Sequence, residues 1–128
     1  MFEYLQFSNI VFFGTSVDVK IWLEDDKVHY TKRLWKPGYN NESDVSSMSV
    51  EEVSEKIENL RINKWHKRYQ HEDRFICDGE EWFVKYKDSS RKRTKVIEGD
   101  NAYPENWKEF LIVLTEVVGD VSVEDDEE

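Results

Sequence analysis

From Val17 to Trp35 the chain reads VDVKIWLEDDKVHYTKRLW. Val17, Val19, Ile21 and Leu23 alternate with Asp18, Lys20 and Trp22, which is the two-residue period of a strand with one buried face. Glu24 to Lys27 is a polar turn, and Val28 to Trp35 is again rich in β-branched and aromatic residues. The stretch therefore predicts a β-hairpin. Upstream, a first strand is expected within Leu5 to Phe13, closed by a turn at Gly14. Downstream, Lys36-Pro37-Gly38-Tyr39-Asn40-Asn41 breaks the sheet and residues 42–48 read as a polar loop.

Ser49 and Glu52 have the spacing of a capping box, in which side chains satisfy the orphan amides of a helix start. Val50, Val53, Ile57 and Leu60 then recur at helical spacing, predicting an amphipathic helix over 50–60. Arg61 to Gln70 suits neither period and reads as an irregular strand. Glu81 to Lys87 and Arg93 to Glu98 form a second hairpin around the polar loop Asp88 to Lys92. Gly99 to Pro104 punctuates the chain, with Pro104 suited to a first helical position. Trp107, Phe110, Leu111, Leu114, Val117 and Val118 make the apolar stripe of the last helix, and Gly119 ends it.

Hairpin-then-helix thus occurs twice, in the order βββ-α-βββ-α. The expected fold is α+β, a mainly antiparallel sheet with helices packed on one face. With 128 residues the chain suits one hydrophobic core, read as a single domain over 1–120 followed by an acidic flexible tail, Val121 to Glu128.

Composition narrows the function classes. The net charge of −10 repels a phosphate backbone and makes nucleic acid an unlikely general partner. Cys77 is the lone cysteine, which excludes an intramolecular disulfide and suits a reducing, cytoplasmic setting. The N-terminal stretch to Gly14 is interrupted by Glu3 and Gln6 and reads as a strand rather than a leader. No apolar run approaches the roughly 20 residues of a membrane helix, so no membrane role is expected.

His66, His71 and Cys77 are close in sequence and open an alternative, a small ligand-binding protein or enzyme built on them. There is no second cysteine for paired zinc ligands, and Asp78 beside Cys77 works against a reactive thiolate. A phosphate loop, a dinucleotide glycine fingerprint, a nucleophile elbow and an HExxH helix are all missing. The reading is therefore non-enzymatic, with no catalytic residue, no metal and no cofactor.

Charge distribution says more than motifs. Residues 61–95 hold eleven of the 18 Lys and Arg against six of the 28 Asp and Glu, a net +5 that leaves −15 on the rest. A further alternative is thus a nucleic-acid binder using the basic hairpin 85–95. Trp22 should point away from the buried face of its strand, and Trp35, near Arg33 and Lys36, is a similar candidate. The expected partner-binding residues are Trp22, Trp35, Asp25, Asp26, Arg91, Lys92 and Arg93, on strand faces and hairpin tips that the core does not need.

Asp78-Gly79-Glu80-Glu81-Trp82 and Gly99-Asp100-Asn101-Ala102-Tyr103-Pro104-Glu105-Asn106-Trp107, after the pair Trp65 and Tyr69, resemble a group of small uncharacterised proteins of bacteria and their phages. That group shares a DG-x-x-W strand and a G-x-N-A-Y-P-x-N helix start. The resemblance covers the C-terminal half, supplies no catalytic residue and implies an accessory or conflict-related role. The expectation is a non-catalytic protein-binding or inhibitory protein, such as a toxin-immunity protein or a phage inhibitor of a bacterial defence nuclease (anti-CRISPR-like). Its partner would be another protein, a nuclease or toxin.

Overall fold

The computed structural model describes residues 2–11, 16–35, 41–70 and 80–119. The strands are β1 (Phe2–Val11), β2 (Ser16–Glu24), β3 (Lys27–Trp35), β4 (Glu42–Val45), β5 (Arg68–Gln70), β6 (Glu80–Asp88) and β7 (Lys95–Asp100). Helix α1 (Val50–Asn59) follows β4, a 3₁₀ turn (Ile62–Lys64) precedes β5, and helix α2 (Trp107–Val118) follows β7. The strands form one seven-stranded sheet in the order β4-β3-β2-β1-β6-β7-β5. All neighbours are antiparallel except β5 and β7, which run parallel.

Alternation decides which face is buried. Leu5 and Phe7 of β1, Val17, Val19 and Ile21 of β2, Trp82 and Val84 of β6 and Ile97 of β7 all point to one side. There they pack against Val53 and Ile57 of α1 and Phe110, Leu114 and Val117 of α2. The capping box forms as the spacing predicts: the Glu52 amide donates to the Ser49 hydroxyl at 3.1 Å and the Ser49 amide to the Glu52 carboxylate at 3.2 Å. Lys56 of α1 pairs with Glu116 of α2 at 3.3 Å.

The residues of the sequence motifs are joints of this core. The rings of Trp65, Trp82 and Trp107 converge with Phe7 and Phe110, and the Trp82 and Trp107 centroids lie 4.3 Å apart. Trp82 Nε1 donates to the Ala102 carbonyl at 3.0 Å and Trp65 Nε1 to Asn106 Oδ1 at 3.0 Å. Asn106 Nδ2 in turn donates to the Leu60 carbonyl at 2.8 Å, tying the end of α1 to the start of α2. Asn101 has φ 54°, and its Oδ1 accepts the Glu80 amide at 2.9 Å; a short amide side chain tolerates that left-handed backbone.

The α+β class and the largely antiparallel sheet match expectation, but the order is not βββ-α-βββ-α. Residues 42–45 form β4 instead of continuing a polar loop; all four are exposed, so no buried face marks them in the sequence. The segment expected as one irregular strand is a 3₁₀ turn, reached through Arg61 in the left-handed region (φ 55°), followed by the short parallel strand β5. Pro104 is not a first helical position: its carbonyl accepts the Trp107 amide at 3.1 Å and α2 starts after Asn106. Leu111 is only partly buried. Lys32 lies on the core side, buried, with Nζ 3.8 Å from Glu42 and close to Gly119, where a cation meets the negative end of the α2 dipole. The tail 121–128 lies outside the described residues.

Candidate functional site

Both helices pack on one side of the sheet, and among the described residues no helix or strand covers the other. Register lays out this open face as rows. Val45, His29, Trp22, Tyr4 and Lys87 stand side by side across β4, β3, β2, β1 and β6. Arg33, Asp18, Ser8, Phe83, Glu98 and Arg68 form a row nearer the other end. The Trp22 and His29 rings are stacked, with centroids 5.8 Å apart and planes 17° from parallel. Trp22 Nε1 donates to Glu24 Oε1 at 3.1 Å, which fixes the indole along the strand. The Tyr4 hydroxyl donates to Gln6 Oε1 at 2.9 Å. Burial and then the nearby Asp18 charge push the Tyr4 pKa up, so the phenol stays neutral.

Two charged tips flank the aromatic row. Glu24 and Lys27 pair across a two-residue turn in which Asp25 and Asp26 have φ 55° and 60°, the geometry of a type I′ hairpin turn. Arg91, Lys92 and Arg93 are exposed on the β6–β7 loop. Since Trp22 pairs with Tyr4 and Tyr4 with Lys87, both tips lie at the same end of the sheet. Three strand spacings separate them, roughly 14 Å. Trp22, Asp25, Asp26, Arg91, Lys92 and Arg93 therefore share one end of the sheet, with the acidic and basic tips apart. Trp35 does not join them: it pairs with Ser16 at the opposite end of the β2–β3 hairpin. Tyr4, His29, Val45 and Lys87 are the members of the row outside the expected partner-binding set. Their own strands show only which face they take, and adjacency to Trp22 depends on inter-strand register.

The β6–β7 loop is held by Asp88, a buried carboxylate. It accepts the Ser90 amide at 2.9 Å, Asn63 Nδ2 at 2.6 Å and the Ser90 hydroxyl. Burial pushes its pKa up, but hydrogen bonds from Ser90, Asn63 and Tyr86 outweigh burial and leave the carboxyl below its ordinary value.

A concave space of about 550 Å³ lies on the open face between β1, β6, β7 and β5, with Ser8, Phe83, Lys85 and Glu98 among its lining. His66 does not line it; its ring packs on Tyr69 and its amide donates to the Tyr69 hydroxyl at 2.9 Å. His71 and Cys77 lie outside the described residues. No group of three metal-ligating side chains occurs among the described residues, and no helix there is long and apolar enough to cross a membrane. No protein-family model, curated protein or solved structure matches the chain.

Proposed function

We propose that the chain is a non-catalytic, cytoplasmic protein that binds and inhibits another protein. The class in view is that of toxin-immunity proteins and phage inhibitors of bacterial defence nucleases. The observation that carries this reading is the stacked Trp22–His29 pair, continued by Tyr4 and Val45, on a sheet face that no described helix covers. A half-exposed tryptophan held rigid by a stack and a hydrogen bond is the side chain that most often anchors a protein interface. The acidic tip Glu24-Asp25-Asp26 beside it, on a molecule carrying −15 outside residues 61–95, suits a partner with a basic cleft. Such charge complementarity steers encounter and excludes wrong partners. Proteins that cut nucleic acid present clefts of that kind.

The test compares the native protein with Trp22→Ala as baits in lysate of the source cells, with melting temperature measured on both. A specific partner retained by the native protein and lost by Trp22→Ala at unchanged melting temperature supports the reading; the loss expected is about 2 kcal/mol or more of affinity. A lowered melting temperature with unchanged retention shows that Trp22 serves the fold, and the proposed surface is then wrong.

A further inference from the structure

Lys95, at the start of β7, reaches across to the 3₁₀ turn, where Nζ donates to the Asn63 carbonyl at 2.8 Å and the Trp65 carbonyl at 2.5 Å. This bond joins two segments some thirty residues apart in the chain, each rich in cations. Lys64 comes from the turn, Lys67 from the short link between it and β5, and Arg91, Lys92 and Arg93 from the β6–β7 loop; all five are exposed. Among the described residues Lys32, Lys56, Arg68 and Lys87 each have a carboxylate partner, whereas none of these five, nor Lys95, forms an ion pair. The buried carboxylate at the corner, Asp88, accepts from the neutral groups of Ser90 and Asn63 and keeps its charge, so it offsets only one of the six cations. Burial, then the positive charges of Arg91 and Lys67, lower the Lys95 pKa. The positive excess that remains, on so acidic a molecule, favours an external anion.

The rings beside it indicate which one. His66 is exposed between Lys64 and Lys67, its ring centroid is 5.6 Å from that of Tyr69, and the His66 amide to Tyr69 hydroxyl bond fixes the pair. Cations that meet phosphates next to a rigid ring pair on which bases stack are the components of a single-strand platform. We infer that the corner formed by the 3₁₀ turn and the β6–β7 loop binds the phosphate backbone of single-stranded nucleic acid, with the exposed His66 ring, braced by Tyr69, stacking a base. A duplex would run on over acidic surface and be repelled. A short single strand touches only the corner, and at physiological salt a screening length of about 8 Å isolates it from the remaining charge.

The site is separate from the Trp22 row, so its test stands apart from that of the proposed inhibitory role. Fluorescence anisotropy with end-labelled oligothymidylate and oligouridylate at about 50 mM salt is expected to show binding that weakens steeply as salt rises. Lys67→Glu/Arg91→Glu should weaken it about tenfold or more and make the log–log salt slope shallower by about 1.4, since each single-strand phosphate contact contributes about 0.7. Trp22→Ala should bind as the native protein does. Circular dichroism checks the fold of each variant; Lys92→Glu/Arg93→Glu, which leaves the 3₁₀ turn untouched, should change affinity in the same direction. Binding to neither oligonucleotide, or affinity unchanged from the native protein in both double variants, overturns the inference. So does equally tight binding of polyglutamate, which would mark the corner as a surface for an acidic protein.

Discussion

Gly99 of β7 faces Trp82 so closely that a methyl group at its Cα would sit 2.1 Å from the indole ring. The ring has nowhere to go, because Trp107 packs on it and its Nε1 is bonded to Ala102. Gly99→Ala is therefore expected to cost about 3 kcal/mol, the upper end for overpacking, read from the urea midpoint. The turn Asp25-Asp26 departs from local preference in the opposite sense. A type I′ turn favours Asn-Gly, so Asp25→Asn/Asp26→Gly should raise stability by about 1 kcal/mol. The same variant should slow association with a basic partner, separating the charge of the tip from its shape. Asp88 supplies a pH test. Its folded pKa is lowered, so its stabilisation is fully present above the unfolded value of about 3.9 and is lost as pH falls through the folded pKa. Thermal melts of Asp88→Asn should accordingly show a smaller decline than the native protein as pH is taken below about 4.

At the scale of elements, what was legible follows from where each signal resides. The β2–β3 hairpin, α1 with its capping box, and α2 carry their periods within their own residues, and all were readable. β4 was not, since an edge strand with four exposed residues has no apolar alternation to show. β5 was readable only as part of an irregular strand over 61–70; its shortness and its parallel pairing with β7, some thirty residues further along the chain, were not. The candidate site divides in the same way: the face on which Trp22 lies followed from its strand alone, whereas its neighbours Tyr4 and His29 depend on pairing between strands. Helix periodicity also overstated the stripe of α2. Leu114 is fully buried and Leu111 only partly so. Leu114→Ala should cost about 2 to 5 kcal/mol and Leu111→Ala clearly less, compared by chemical denaturation under one set of conditions.

Taken whole, the molecule separates its functions by side and by edge. Packing on the helix side consumes most of the large apolar side chains, which leaves the open face free to carry aromatic and charged groups that stability does not require. The charge is divided too, with the basic corner near the β5 edge and exposed carboxylates along β4 and α1, including Glu42, Asp44, Glu51, Glu52 and Glu55. Such a dipolar molecule approaches a charged partner in a preferred orientation. The arrangement of the indoles adds an optical consequence. Trp65, Trp82 and Trp107 sit in mutual contact in the core, where excitation passes among them and their emission reports the integrity of the fold. Trp22 stands outside that group with the His29 imidazole stacked on its ring, a contact to which indole emission is sensitive. Its emission therefore responds to anything that displaces or covers His29, so the proposed interface can be watched by intrinsic fluorescence without a label.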